Sequence, residues 1–400
     1  MARLLMAGVV SAALFTLGTP VTAAVAAPPT CLGIPATLTG AGTLIGTPGS
    51  DVIVGSAGAD VVDGRGGNDV ICGLGGDDRL TGGLGDDRID GGGGDDVIRG
   101  DVSVGSGDAR GGGNDVLYGG DGDDDLVGDA QTGSGNAEGG GNDTLHGGDG
   151  SDFLVGDSET DTGGDARGGG NDRLYGDDGD DVHMTGDSVA LGGDAEGGGN
   201  DVLYGGNGDD GLLGDSAAPF QGSATGAGDD VLRSGPGVGA ESIVGDSEGI
   251  DAVHGDGGDD LVDLGDDGGL FAIGDHNIGD PQGGRATGAG NDRIIGGTAD
   301  DLLFGDSSVG DASRTVAGND VIDGRGGNDQ LFGDNVNFDG DATVGTAGGR
   351  DVLRGGTGDD ALFAGPADDF LDGGPQIDSC DGQAGDADHA VRCESVTDVP

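Results

Sequence analysis

The chain has 400 residues, 100 of them Gly, and its 76 acidic residues against 16 basic ones give a formal charge of −60. Every basic residue is Arg, and Leu, Ile, Val and Phe together number only 84, at the border where chains stop burying a core. An ordinary helical or α/β enzyme is therefore excluded, and so is nucleic acid as a direct partner, because its phosphates would meet a strongly negative surface; divalent cations are the natural partners of so much carboxylate.

Residues 1–26 read as a secretion leader: Arg3 starts it, Leu4 to Leu17 supply an apolar stretch, and Ala24-Val25-Ala26 is a small-residue cleavage motif. The stretch is too short for a membrane span, and no later segment could cross a bilayer. Localisation is accordingly expected to be extracellular. Cys31, Cys72, Cys380 and Cys393 fall as one pair near each end. An even count in a secreted chain predicts two disulfides, and of the three pairings Cys31–Cys72 with Cys380–Cys393 is the most economical.

From Gly46 to Arg99 the chain is six consecutive nine-residue units, such as Gly82-Gly83-Leu84-Gly85-Asp86-Asp87-Arg88-Ile89-Asp90. Position six is always Asp (Asp51, Asp60, Asp69, Asp78, Asp87, Asp96), and position eight is always a large aliphatic (Ile53, Val62, Ile71, Leu80, Ile89, Ile98). A disordered acidic chain does not hold two residue types in phase for six cycles. Gly at positions one, two and four permits tight turns, and the triplet around position eight is a short strand with one inward side chain. Stacked coils would turn the aliphatics into a ladder and the aspartates into rows. Such rows repel unless neutralised, and Ca²⁺, which takes six to eight hard oxygen ligands with flexible geometry, suits the gap better than Mg²⁺.

This pattern resembles the RTX, or haemolysin-type, calcium-binding nonapeptide repeat, G-G-x-G-x-D-x-U-x with U a large apolar residue. The resemblance covers about 320 residues, and the chain is similar to secreted actinobacterial members without an effector domain. It implies an all-β fold, a parallel β-roll (β-solenoid), with two nonapeptides per turn and multiple Ca²⁺ ions between successive glycine-rich loops.

From Gly100 plain nonapeptides alternate with longer coils that open Gly-Asp and close Gly-Gly-Asn-Asp or similar. The combined repeats starting at 100, 128, 156, 186 and 214 span 28, 28, 30, 28 and 31 residues. The surplus is expected to stack as a rib of loop insertions along one edge, leaving the other plain. Position-six residues continue at Asp115, Asp124, Asp143, Asp152, Asp172, Asp181, Asp201, Asp210, Asp230, Asp260, Asp292, Asp301, Asp320, Asp329, Asp351, Asp360 and Asp369. With the six of the first block these are the predicted metal ligands, on both edges. Arg110, Glu138, Arg167 and Glu196 align in successive insertions and should alternate in charge; Tyr118, His146, Tyr175 and Tyr204 should form an exposed ladder. His183 falls in an aliphatic slot. The pattern weakens at 234–273, where calcium sites are doubtful and the roll is free to bend.

The expected organisation is therefore a leader (1–26), an N-terminal cap (27–45), an uninterrupted roll (46–99), a roll with insertions (100–363), and last coils with a disulfide-stapled cap (364–400). Enzyme motifs fail inspection. Gly245-Asp246-Ser247-Glu248-Gly249 matches G-x-S-x-G, but it is one of many Gly-Asp coil starts. No P-loop exists without Lys, and no H-E-x-x-H is present. Pairs such as Asp86-Asp87 should point to opposite faces. No catalytic residue and no enzyme activity are expected. The sequence reads as a secreted protein that folds as it binds calcium. The alternative is a calcium-stiffened adhesin or surface-matrix protein whose loop rib meets cell-surface or matrix components.

Overall fold

The computed structural model describes residues 28–237, 242–266, 268, 271–280, 284–385 and 387–399; the expected leader, 1–26, lies outside them. A lone nonapeptide orders its backbone at about 1–2 kcal/mol per residue, while its one buried aliphatic returns about 1.5–3 kcal/mol. It is ordered by stacking. Strands of successive nonapeptides alternate between two parallel sheets of 15 strands each among the described residues. The first roll sheet runs from Leu38–Thr39 to His389–Val391, the second from Thr43–Ile45 to Ser395–Thr397.

Register follows the repeat. In the first sheet Ile71, Ile89, Leu117 and Leu145 are direct neighbours; in the second, Val62, Leu80, Ile98 and Leu126 are. These two rows face each other and form one continuous core from Leu44 to Cys380. Glycine is indispensable where coils touch: Gly92 has φ +107°, and a Cβ there would lie 2.5 Å from the Leu74 carbonyl oxygen.

The insertions do lie along one edge, on the path from the second sheet to the first, but they are not loops. The first seven each contribute two short strands, and these stack into two further parallel sheets of seven strands. One runs from Ser103–Val104 to Asn277–Ile278, the other from Ala109–Arg110 to Arg285–Thr287. The last two insertions contribute one strand each, Ser308–Val309 and Val336–Asn337, which pair with one another. Together they form a lobe with its own small core. Ala109 and Ala137 are buried at one end, and Ala166, Ala195, Ala224 and Val253 continue the row. Val127, Val155, Val189, Val244, Ile273, Phe304 and Phe332 fill the junction with the roll. A second difference concerns His183: the core slot is taken by Met184, which pairs with Leu154 and Leu212. The chain gains one residue after Asp181, so Val182 and His183 are pushed outward to exposed positions.

Other expected alignments are present. Arg110 pairs with Glu138, Glu138 with Arg167 and Arg167 with Glu196, with ion pairs of 2.7 Å (Arg110–Glu138) and 2.9 Å (Arg167–Glu196). Tyr118, His146, Tyr175 and Tyr204 stack with centroids 5.1, 4.5 and 5.5 Å apart, half-buried rather than exposed. The aliphatic rows stay in register through the weak stretch: Leu212, Ile243, Ala272 and Leu303 follow one another. Cys31 is bonded to Cys72, and Cys380, which occupies an aliphatic slot, to Cys393. No described helix is long and apolar enough to cross a membrane.

Candidate metal centres

Each glycine turn delivers its position-six Asp to the mouth of the following strand, inward, while position five faces out: Asp87 is buried and Asp86 exposed. The turns form two rows. On the lobe edge the row is Asp51, Asp69, Asp87, Asp115, Asp143, Asp172, Asp201, Asp230, Asp260, Asp292, Asp320, Asp351 and Asp369. It is unbroken: the backbone N–H of each donates to Oδ1 of the next, at 2.6–2.9 Å. On the plain edge Asp60, Asp78, Asp96, Asp124, Asp152, Asp181 and Asp210 are linked in the same way. The row resumes at Asp301, Asp329 and Asp360. Between Asp210 and Asp301 the plain-edge turns include positions outside the described residues, while the lobe-edge row is continuous through the weak stretch.

The hydrogen bond from the neighbouring coil uses one carboxylate oxygen. The other, Oδ2, is buried without a hydrogen-bond partner in twenty of the predicted ligands: Asp69, Asp78, Asp87, Asp96, Asp115, Asp124, Asp143, Asp152, Asp172, Asp181, Asp201, Asp210, Asp230, Asp260, Asp292, Asp320, Asp329, Asp351, Asp360 and Asp369. A buried unpaired carboxylate oxygen is costly. Three predicted ligands differ. Oδ2 of Asp51 accepts from the Thr47 N–H at 2.7 Å, that of Asp60 from the Ser56 N–H at 2.6 Å, and that of Asp301 from the Gly297 N–H at 2.7 Å. Their turns close on themselves.

Where Oδ2 is free, it converges with backbone oxygen. A Cβ built on Gly91 would meet Oδ2 of Asp96 and, at 2.7 Å, the carbonyl oxygen of Gly119 in the next coil. Gly119 stands in the same relation to Asp124 and the Gly147 carbonyl. Hard oxygens directed at a space that only glycine leaves open fit a calcium ion. Burial pushes these acids up: Asp124 to about 6, Asp96 to about 7, Asp87 to about 8 and Asp115 to about 10. A bound cation would hold them ionised instead.

The structure adds ligand candidates to the predicted set. Asp378 continues the plain-edge row with a free Oδ2, and its N–H donates to Glu394. More consequential are the aspartates of the Gly-Asp coil openings, Asp101, Asp129, Asp157, Asp187, Asp215, Asp246, Asp275, Asp306 and Asp334, all wholly buried. Their recurrence every 28 to 31 residues was the available signal, but they stand at position two, where the repeat has Gly. On the lobe edge they meet the position-six residues in five groups: Asp101, Asp115 and Asp129; Asp129, Asp143 and Asp157; Asp157, Asp172 and Asp187; Asp187, Asp201 and Asp215; Asp215, Asp230 and Asp246. Within each group one oxygen per residue lies within 4.8 Å of the others.

No nucleophile elbow forms at Ser247. It is wholly buried in a row with Ser158, Ser188, Ser216 and Ser307 and is followed by the strand Glu248–Gly249, not by a helix.

A family model described as RTX calcium-binding nonapeptide repeat (4 copies) matches residues 38–71, 45–80, 73–102, 111–134, 139–162, 168–187, 197–218, 286–308, 314–337 and 346–380. No curated protein matches the chain. The matched windows cover more than half of the sequence, and the longest stretch they leave out, 219–285, contains the weak part of the repeat. Parallel roll, aspartate rows and matched repeats coincide, and the chain belongs to the RTX calcium-binding nonapeptide repeat family.

Proposed function

We propose that this is a secreted calcium-binding protein whose repeats take up multiple Ca²⁺ ions and fold as they do so. The observation that carries the reading is the set of buried Oδ2 atoms without donors, stacked one coil apart along both edges. Without cations those rows repel each other across a dry interior; with them, each ion joins consecutive coils. Binding free energy then becomes folding free energy. In this reading residues 1–26 direct export, 27–45 and 364–400 cap the roll, and extracellular calcium completes folding outside the cell.

The test is a Ca²⁺ titration followed by far-ultraviolet circular dichroism and small-angle scattering, with Mg²⁺ as control. A steep, Ca²⁺-selective collapse from an expanded chain to a β-rich rod is expected. A compact, protease-resistant chain in the presence of chelator would overturn the folding switch.

A second reading is an adhesin or surface-matrix protein, with the lobe as its recognition surface. It is favoured by the trough that runs beside Arg110, Glu138, Arg167 and Glu196, floored by the glycines that follow each of them. Retention on cell-wall or polysaccharide material with Ca²⁺, and release by chelator, would separate it from a free calcium-binding protein.

A further inference from the structure

The two edges do not present the same chemistry. A plain-edge turn offers one free carboxylate oxygen per coil. On the lobe edge position two is Asp in place of Gly, and the chain turns away from it into the lobe. The carboxylate therefore stays behind at the junction, wholly buried. One of its oxygens is held: the N–H of Gly141 donates to Oδ1 of Asp157 at 3.1 Å, that of Gly170 to Asp187 at 3.2 Å, and that of Gly199 to Asp215 at 3.3 Å. The other, Oδ2, has no hydrogen-bond partner in Asp157, Asp187, Asp215 or Asp246, and in Asp101 and Asp129 neither oxygen has one. The glycine returning from the lobe seals the place: a Cβ on Gly139 would lie 2.7 Å from the Asp129 Cβ, and one on Gly226 would lie 2.7 Å from the Asp215 Cβ.

We infer that the coil-opening aspartates convert the lobe edge into a column of five high-charge divalent-cation sites, each made by three buried carboxylates, distinct from the one-carboxylate turns of the plain edge. The inference rests on the proposed calcium reading and deepens it. Asp129, Asp157, Asp187 and Asp215 each belong to two consecutive groups, so each bridges two ions. Eleven carboxylates serve the five groups, and five divalent cations bring them within one charge of neutrality. No such balance is available from protein cations, since no Arg among the described residues forms an ion pair with these groups. Among the described residues the column ends at Asp246, where His276 takes the place that Ser158, Ser188, Ser216 and Ser247 hold in earlier coils. Its Nδ1 stands 3.5 Å from Oδ2 of Asp246. These ions fill before those of the plain edge, because ligand charge sets calcium affinity, and they pin the lobe to the roll.

The test is calorimetric titration of the full chain with Ca²⁺, beside two variants: Asp157→Asn/Asp187→Asn/Asp215→Asn on the lobe edge and Asp124→Asn/Asp152→Asn/Asp181→Asn on the plain edge. The parent is expected to show a tight class of five ions ahead of weaker ones. The lobe-edge variant should lose four of the five, with affinity at those sites lower on the order of 100-fold, the upper range for loss of even an outer-shell partner; the plain-edge variant should keep all five. In chelator the lobe-edge variant should be the more compact chain, since Asn removes buried repulsion, a sign that loss of packing could not produce. An unchanged titration of the lobe-edge variant, or equal loss of the tight class in both variants, would overturn the inference while leaving calcium binding intact. A parent that takes up no Ca²⁺ would overturn both. If the lobe-edge variant does not fold, a crystal structure of the calcium-loaded parent decides: ions inside the Asp groups support the column, and carboxylates in direct contact with no ion between them overturn it.

Discussion

The plain edge and the lobe edge of the roll carry the same aspartate at the same position, yet burial treats them differently. On the plain edge Asp124 and Asp181 are pushed to about 6, and Asp96, Asp152 and Asp210 to about 7. Where the lobe covers the other edge, Asp87 and Asp201 rise to about 8 and Asp115 to about 10, and Asp143, Asp172 and Asp230 are pushed well above the ordinary value; away from the lobe the rows overlap, with Asp69 at about 6 and Asp369 at about 7 on that edge and Asp329 at about 8 on the plain one. Desolvation is the main cause throughout, and the lobe supplies more of it by covering that edge, with carboxylates of neighbouring coils adding their repulsion. One sequence motif thus yields two grades of site, because a neighbouring layer decides how much water each retains.

Calcium removal has the largest effect expected. At pH 7 chelator should abolish the β signal of both edges, and hydrogen exchange during stepwise chelation should open plain-edge turns before lobe-edge turns. Simultaneous opening would erase the distinction between them.

Acid should replace calcium in part. Each of these carboxyls has a folded value above its ordinary 3.8, so its contribution in the metal-free fold is complete below about pH 4 and is lost as pH rises through the folded value. Metal-free β structure is therefore expected near pH 4 and should fade on the plain edge between about pH 4 and 8. On the lobe edge the loss should extend to higher pH. Calcium uptake requires the ionised form and should strengthen across the same range. Circular dichroism against pH, with and without Ca²⁺, reads both trends; metal-free structure that grows with pH would contradict the origin of these shifts.

Packing separates roll from lobe. Leu145→Ala removes a wholly buried side chain from the central row and should cost about 2–5 kcal/mol in calcium-loaded denaturation. Ala166→Gly in the lobe should cost about 1–2 kcal/mol, one methyl group plus backbone entropy. Gly92→Ala, strained by its positive φ and by the Leu74 carbonyl, should cost about 1–3 kcal/mol. Gly58→Ala, with nothing within 4 Å of the new Cβ, should be neutral or slightly stabilising. The smallest effect belongs to Glu138→Arg, which sets three Arg in a row on the lobe surface. It should cost at most about 1 kcal/mol, diminishing with salt.

The roll was legible because its signal is dense. Every nonapeptide repeats an Asp, an aliphatic and glycines in phase, and each of those residues has one physical use. The lobe was not. Its strands are two or three residues long, rich in Ala, Ser, Thr and Glu, and too short for an alternation of apolar and polar residues to mark them. The stretches read as loops because nothing local favours a strand; they are strands because identical neighbours lie above and below. The Met184 register was hidden for a related reason: counting nine from the turn places His183 inward, but the extra residue after Asp181 is taken up as a bulge at Val182, which leaves Met184 in the aliphatic row.

The sequence by itself determined the parallel roll, its register, the aspartate rows and the pairing of charges and rings between coils. All of these are nearest-neighbour properties of a repeating unit, and a period read along the chain is a stack in space. The tertiary structure alone decided which aspartate oxygens are left without a donor and that Asp51, Asp60 and Asp301 satisfy their own. It also decided that the coil-opening aspartates come together with the closing ones from 14 or more positions away along the chain. Those outcomes depend on burial and on convergence from separate coils, quantities that no single repeat contains.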